Sequence, residues 1–303
     1  MALSDRWLPE INAAIISIPE REVLMIRKAM FAGTWYPGDA GACEKKIQSF
    51  LRAMPWTPDD QTRVGAIVPH AGWDFSGKIA CNTIRRLKES DVDVVVVFGM
   101  HLHAQSARYM MGTGAWETPF GALDIDEELA ESIAAKFSFI RETASNFTMD
   151  NTIELQLPFV KYFFNQVKIL PLGVPPAEQT LEVARSLVDQ AKHLGRKIKV
   201  IGSTDLTHYG AHYGFAGHGT GPEAVHWVEQ NDRRVIDLML KFDARKVIAE
   251  ALSSQNACCS GAAAAALEAG RRMGAVRAEL VSYATSNDVR PSSNFVGYAG
   301  IVF

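Results

Sequence analysis

Short apolar runs that alternate with helical patterns constrain the fold of this chain more than any other feature. The runs are rich in β-branched residues and have no polar face, which is typical of strands buried between two layers of helices. They cover residues 64–68, 92–98, 167–174, 198–201, 280–283 and 295–303. Helical patterns cover residues 41–53, 76–89, 126–138, 150–165, 178–194, 222–241 and 261–273. This alternation predicts an α/β fold, an α/β/α sandwich with a mainly parallel central sheet.

The chain has no linker that would separate two domains. Its 303 residues are enough for one large domain or two small ones. Because no stretch rich in Pro, Gly and Ser interrupts the alternation, we expect a single α/β domain over residues 28–303. Residues 1–27 precede the first clear motif and are expected to form an N-terminal arm.

Composition and charge indicate the cellular compartment of the protein and exclude some classes of binding partner. The net charge is −3 and the sequence has no basic stripe, so we expect no nucleic-acid binding. No run of eighteen apolar residues is present, so we expect no membrane span. Asp5 and Glu10 are atypical of a secretory signal. The four cysteines do not form a disulfide framework for a domain of this size. These features indicate a cytoplasmic protein.

Polar side chains that suit metal binding follow three of the predicted strands. His70 follows the first strand, His101 follows the second with His103 close behind, and Asp205 and His208 follow the fourth. In open α/β sheets, ligands bind in the crevice outside the carboxyl ends of the strands. Imidazole and carboxylate groups there suit iron, copper or zinc. Each histidine alone would more often be a capping or core residue, but together they favour one site.

Two further sequence features offer chemical groups. Cys258 and Cys259 precede an alanine-rich helix, where the helix dipole favours a thiolate. Either cysteine could be a metal ligand or a nucleophile, and the alternative is a small buried residue at a helix start. Asp150 and Glu154 lie one turn apart at another helix start. They are interpreted as caps or as acids beside the crevice.

Six sequence motifs resemble those of the Memo family, the protein B component of AmmeMemoRadiSam systems, and occur in the same order. They are residues 32–37 (AGTWYP), 69–73 (PHAGW), 116–119 (WETP), 153–158 (IELQLP), 203–210 (STDLTHYG) and the segment around Cys258. The resemblance extends over about residues 28–303. It implies a fold similar to the catalytic subunit of the class III extradiol dioxygenases.

The resemblance also implies a metal site made of two histidines and one cysteine that holds Fe(II) or copper. His70 matches the first ligand, and Cys258 matches the family cysteine, with Cys259 in place of a usual glycine. His101 matches the second histidine. The run before it is one residue shorter than in the family, so His103 is the alternative.

Four further residues occupy positions of the family pocket. Asp205 and His208 match its acid and histidine, and Glu154 lies in a matching motif. We expect Asp205 and Glu154 to orient ligands and His208 to transfer protons. Asn151 stands where the family commonly has a histidine.

Three functions are consistent with these residues. The leading prediction is a metal-dependent oxidoreductase acting on an unknown small substrate. The resemblance also implies an adaptor that binds phosphotyrosine peptides in the same cleft, and a functional link to a radical-SAM protein. The third is a metal-free hydrolase or transferase with Cys258 as the nucleophile, His70 or His208 as the base and Asp205 as the orienting acid.

Overall fold

A nine-stranded sheet forms the centre of the fold in the computed structural model, which describes residues 25–164 and 166–303. Its strands are β2 (Gly65–Val68), β3 (Val94–Gly99), β4 (Tyr109–Met111), β7 (Ile140–Glu142), β8 (Lys168–Gly173), β9 (Ile198–Ser203), β10 (His208–Tyr209), β11 (Glu279–Thr285) and β12 (Phe295–Val302). They lie in the order β10-β12-β2-β9-β3-β8-β4-β7, with β11 paired to β12. The central strands β2, β9, β3 and β8 are mutually parallel, so their carboxyl ends lie at the same edge.

Helices cover both faces of this sheet. They are α1 (Ala40–Ala53), α2 (Lys78–Ile84), α3 (Glu127–Ala134), α4 (Asn151–Glu154), α5 (Leu157–Phe163), α6 (Glu178–His193), α7 (Gly221–Leu240), α8 (Ala244–Ser254) and α9 (Ser260–Arg272). On one face, α9 packs against β9 and lies beside α6 and α8. On the other face, α2 packs against β2 and contacts α1. The predicted α/β/α sandwich with a mainly parallel sheet is confirmed.

Strand β3 shows why the sheet needs two layers of helices. Val94, Val96 and Phe98 belong to one core cluster, whereas Val95 and Val97 belong to a second cluster on the opposite face. Alternate side chains of a strand point to opposite faces, so a strand with apolar residues at every position must be covered on both. This strand is therefore fixed at the centre of the sheet.

Several elements differ from the sequence prediction. The helix predicted over 150–165 is two helices, α4 and α5, and α8 was not predicted. Strands of two residues are too short to show an alternation of apolar and polar residues in the sequence. Three such strands form a separate small sheet. They are β1 (Ile26–Arg27), β5 (Ala115–Trp116) and β6 (Leu123–Asp124).

Most of the predicted N-terminal arm, residues 1–24, lies outside the described residues. The last two residues of the predicted arm form strand β1, which pairs with β5. The domain boundary at residue 28 stays a prediction. None of the helices described is long and apolar enough to cross a bilayer.

Candidate metal centre

Three parallel strands deliver polar residues to the same edge of the sheet. Strand β2 ends two residues before His70, β3 ends two residues before His101, and β9 ends two residues before Asp205. Met100 adopts a left-handed conformation with φ of 73°, which turns the chain sharply between β3 and His101. A non-glycine residue accepts this conformation only when its surroundings stabilise it. Here the backbone N–H of Met100 donates to Thr152 Oγ1 at 2.7 Å.

Two histidines and two cysteines converge at this edge. The candidate ligand atoms of His70, His101, Cys258 and Cys259 all lie within 4.8 Å of one another. His70 Nε2 lies 3.3 Å from Cys258 Sγ, and the two sulfur atoms are 3.7 Å apart. The rings of His70 and His101 meet edge to face with centroids 5.0 Å apart. We call these four residues the candidate metal centre.

Hydrogen bonds orient the His70 ring. Ser203 Oγ donates its single proton to the carbonyl of Thr152 at 2.7 Å, so it accepts from His70 Nδ1, 3.1 Å away. We therefore assign the proton of the neutral ring to Nδ1, which leaves the Nε2 lone pair directed at the centre. A ligand histidine fixed through its second nitrogen is the usual arrangement in metal sites.

Asp150 holds both the backbone and the ring of His101. Asp150 Oδ2 accepts from the backbone N–H of His101 at 3.1 Å and lies 2.9 Å from its ring Nδ1. Oδ1 of the same carboxylate caps helix α4 by accepting from the N–H of Thr152 at 2.9 Å. Burial favours the neutral form of Asp150, but its bonds to His101 and Thr152 prevail and lower its pKa. Asp150 is thus both a helix cap and the partner of His101.

Asp205 fixes the backbone of two candidate ligands. Its Oδ1 accepts from the N–H of His70 at 2.7 Å, and its carbonyl accepts from the N–H of Cys258 at 3.1 Å. The preceding Thr204 accepts at Oγ1 from the N–H of Cys259 at 3.0 Å. The loop after β9 therefore sets the positions of both cysteines and of His70.

Burial and neighbouring charges determine the protonation of the centre. Burial opposes ionisation of the Cys258 thiol, but a hydrogen bond from Cys259 and the histidine rings outweigh it and lower the pKa of Cys258 well below its usual value. Burial also opposes protonation of His70, yet the Asp205 carboxylate and the Cys258 thiolate raise its pKa. Burial raises the pKa of Asp205. These shifts favour a Cys258 thiolate beside the His70 ring, and cation binding would displace any proton on the ligand atoms.

An open cavity of about 640 Å³ lies above the centre. His70 and His101 form part of its floor, and Asn151, Asp205 and His208 also line it. Its other lining residues are Thr34, Trp35, Ala71, Gly72, Asp74, Phe75, Tyr213, Ser286, Arg290, Ser292, Asn294, Val296 and Tyr298. A small molecule in this space would contact the histidine rings directly.

The structure separates the residues proposed from sequence into two groups. His70, His101 and Cys258 come together, and Asp205 and His208 line the same cavity. His103 is exposed and lies outside the centre. Glu154 is buried elsewhere and accepts hydrogen bonds from the N–H groups of Met30 and Phe31.

Asn151 keeps a supporting position in the cavity wall. Its side-chain amide donates to the carbonyl of His70 at 2.9 Å. It therefore braces the loop that carries this ligand, and its amide has no titrating proton to exchange with a substrate.

Sequence reasoning missed Ser203 and Arg290. Ser203 is the first residue of the motif that contains Asp205 and His208, so its position at the end of β9 is an available signal. Arg290 lies in a polar loop before β12 with no pattern that distinguishes it from other surface residues. Its guanidinium lies 5.8 Å from the ring centroid of Phe75, at the cavity wall.

The donor set suits a transition-metal ion. Imidazole nitrogen and thiolate sulfur bind iron, copper and zinc, whereas calcium and magnesium require oxygen donors. A histidine coordinates a cation through an unprotonated nitrogen, and a cysteine does so as a thiolate. The bond of His70 Nδ1 to Ser203 and the lowered pKa of Cys258 favour these forms. The residues present therefore fit a metal ion.

Comparison with known proteins agrees with this description. A family model described as Memo-like protein matches residues 27–302. A MEMO1 family protein of Thermococcus onnurineus is 32% identical over 292 residues, covering 92% of this chain and 99% of the relative. A relative of the same description from Methanopyrus kandleri is 34% identical over 294 residues, with the same coverage. An uncharacterised Escherichia coli K12 protein of known structure covers 79% of this chain and 98% of its own, at a TM-score of 0.50 and 11% identity, and shows the fold alone.

The fold and the site define an α/β/α sandwich protein with a candidate metal centre at the ends of its parallel strands. The matches extend over nearly the whole chain. The protein belongs to the Memo family.

Proposed function

We propose that this protein is a metal-dependent oxidoreductase that binds Fe(II) or copper through His70, His101 and Cys258 and acts on a small substrate in the cavity above them. The observation that carries this proposal is the convergence of these ligand atoms within 4.8 Å beneath an open cavity. A metal site that is built for structure alone is normally closed by protein ligands, whereas a catalytic site keeps access for a substrate.

The bound metal would supply redox chemistry and open positions for O₂ and substrate. The protein residues hold and orient the reacting groups. Ser203 keeps the proton of His70 on Nδ1, and Asp150 holds the His101 ring. His208 bonds to the carbonyl of Leu206 through Nδ1, so its Nε2 is available for proton transfer in the cavity.

The geometry gives less support to a cysteine hydrolase or transferase. Such an enzyme needs an acid on the ring nitrogen that faces away from the nucleophile. In His70 that nitrogen, Nδ1, is bonded to Ser203, and Asp205 Oδ2 lies 3.9 Å from Nε2, the nitrogen that also faces Cys258. Asp205 is therefore on the wrong side of the ring to orient His70 as a base toward Cys258.

One observation favours a second function, the binding of an anionic peptide. Arg290 is exposed and is the one arginine among the described residues that line the cavity, which Ser286 and Ser292 also line. Guanidinium groups recognise phosphate and carboxylate groups. Phosphotyrosine peptide binding by the metal-free protein that Arg290→Ala abolishes would support this function.

Metal content tests the leading proposal. The protein is purified anaerobically without chelator, and iron and copper are measured in wild type and in His70→Ala, His101→Ala and Cys258→Ser. We expect near-stoichiometric metal in wild type and loss in all three variants, because each removes a ligand. His103→Ala is the matched control and should retain the metal. Wild type that stays metal-free after loading with Fe(II) or copper would disprove the proposal.

A further inference from the structure

Cys258 and Cys259 form an adjacent thiol pair that the proposed function does not explain. Their sulfur atoms lie 3.7 Å apart, and the hydrogen bonds from their N–H groups to Asp205 and Thr204 fix both residues on one rigid loop. Cys258 is partly exposed at the candidate metal centre, whereas Cys259 is 3% exposed beneath it. The two sulfurs are thus held together, one on a partly exposed residue and one on a buried residue.

We propose that Cys258 and Cys259 are a peroxide-sensitive dithiol whose oxidation to a disulfide removes the sulfur ligand from the candidate metal centre. Peroxide is the oxidant, Cys258 is the residue that it oxidises, and Cys259 is the resolving thiol. The effect on metal binding rests on the proposed function, whereas the sulfur chemistry does not.

The chemistry has two balanced steps. The Cys258 thiolate attacks one oxygen of hydrogen peroxide and breaks the O–O bond, which gives a sulfenic acid and hydroxide that takes up a proton to become water. Cys259 sulfur then attacks Cys258 Sγ, the S–S bond forms, and the S–O bond breaks. The leaving hydroxide takes the Cys259 proton and departs as water. The pair loses two electrons, and the peroxide is reduced to two waters.

The roles of the two cysteines follow from access. The more exposed of two neighbouring sulfurs is oxidised first, and a nearby protected thiol resolves the product. Cys258 Sγ lies 3.3 Å from His70 Nε2, beneath the cavity, and Cys259 is its nearest cysteine partner. Cys43 and Cys81 are fully buried, and burial raises the pKa of each to about 12, so they remain protonated and unreactive.

A bond between adjacent cysteines would be readily reversed. Neighbouring Cα atoms are about 3.8 Å apart across a trans peptide. Relaxed disulfides span about 4.4–6.8 Å between Cα atoms, so the bond would be strained and easily reduced. Strained disulfides are the labile and regulatory ones. Because a disulfide sulfur has lost the thiolate charge that binds metal, the centre would lose a ligand until a reductant restores it.

The test treats the metal-free full-length protein with near-stoichiometric hydrogen peroxide and follows intact mass, peptide mass and free thiols. Wild type should lose two hydrogen atoms, with the bond mapped to the Cys258–Cys259 peptide and reversed by dithiothreitol. Cys259→Ser should instead gain one oxygen on Cys258, which dimedone captures. Cys258→Ser should stay unmodified at the same dose. Wild type that accumulates sulfinic acid on Cys258 with Cys259 still a free thiol would overturn the proposal.

Metal loading gives the second readout. Reduced, oxidised and re-reduced samples are each loaded anaerobically with Fe(II), and we expect binding in the first and third only. Disulfide-containing protein that binds Fe(II) as well as the reduced protein would overturn the inferred effect on the centre. A disulfide that forms in a protein whose reduced state binds neither Fe(II) nor copper would support the dithiol chemistry and disprove the proposed function instead.

Discussion

Ser203 illustrates how much of a metal centre lies outside its ligands. Its hydroxyl accepts from His70 Nδ1, donates to the Thr152 carbonyl and receives a longer hydrogen bond of 3.3 Å from Gln156 Nε2. Because a hydroxyl has one proton, the donation to Thr152 decides which tautomer of His70 is favoured. The serine thus controls the direction of the Nε2 lone pair without touching a metal.

Ser203→Ala should weaken metal binding by about 10–100-fold, since loss of such supporting partners has effects of this size. The His70 ring would lose its fixed tautomer and orientation. Competition with a chromophoric chelator would measure the affinity. Thr180→Val is a matched control, because Thr180 is also fully buried and donates to the Pro175 carbonyl at 2.6 Å. Equal metal affinity in Ser203→Ala and in this control would contradict the role assigned to Ser203.

Chemical type and strand position were sufficient to predict His70, His101 and Asp205 as neighbours, because parallel strands end at one edge. The tautomer of His70 could not be predicted, since it depends on hydrogen bonds that run through Ser203 to the carbonyl of Thr152 in helix α4. The contacts of Glu154 could not be predicted either. Its motif indicates that it lies at the start of a helix, but it does not indicate which segment of the chain its carboxylate contacts.

At the scale of elements, Glu154 ties helix α4 to the segment before α1. Its Oε1 accepts from the N–H of Phe31 at 2.7 Å and from the Tyr36 hydroxyl at 3.0 Å, and its Oε2 accepts from the N–H of Met30 at 3.0 Å. The turn between these partners carries Trp35 to the cavity wall. Glu154 therefore supports the cavity from a distance.

We expect Glu154→Gln to lower the free energy of unfolding by about 1–3 kcal/mol, because its amide nitrogen cannot accept and leaves a buried donor unsatisfied. Metal content should not change, since Glu154 is outside the centre. Thermal unfolding and metal analysis would measure the two effects. Glu117→Gln is the control, because Glu117 also accepts from this segment, at Ala29, but is solvent-exposed. Metal loss from stably folded Glu154→Gln would show that Glu154 acts in the centre itself.

Elements with a clear period were predictable and the others were not. Strand β3 and helix α6 have long apolar patterns that the sequence displays directly. Helix α8 follows α7 after only residues 241–243, where Phe242 takes a left-handed conformation. Because only one turn separates the amphipathic patterns of α7 and α8, the sequence predicts a single helix that ends with α7, and α8 is missed.

At the scale of the whole molecule, Asp232 joins three parts of the fold. It lies fully buried on α7, its Oδ1 accepts from the N–H of Thr207 at 2.9 Å, and its Oδ2 accepts from the hydroxyl of Tyr283 at 2.8 Å. Burial is the largest influence and raises the pKa of Asp232 to about 7, although these hydrogen bonds oppose the rise. The carboxyl group is therefore protonated in the folded protein at mildly acidic pH.

This shift makes folding stability depend on pH. Between about pH 4 and 7 the folded state holds a proton that the unfolded state has lost, so stability falls as pH rises, by at most about 1.4 kcal/mol per pH unit. Asp232→Asn removes this dependence, because its amide can still accept from Thr207 and can donate to Tyr283. Chemical unfolding from pH 4 to 8 should give a flatter profile for Asp232→Asn than for wild type.

Asp237→Asn provides the control for this profile, because Asp237 lies on the same helix but is exposed and paired with Arg233. Its unfolding curve should follow that of wild type across the range. A profile for Asp232→Asn that runs parallel to wild type, with lower stability at pH 8, would show that the Asp232 carboxyl is ionised in the folded protein.

Helix α9 lies so close to the sheet that its small residues are a requirement of space. The alanines of 262–266 are completely buried, and a methyl group added at Gly202 would come within 2.6 Å of the Ala262 carbonyl. This helix follows directly after the cysteine pair. A larger residue on the helix, or on the strand that it packs against, would therefore displace both thiols. Mutational tolerance along α9 should consequently be as low as at the histidines. A strict preference for alanine there among relatives would reflect packing distance, and would be no evidence of a chemical role.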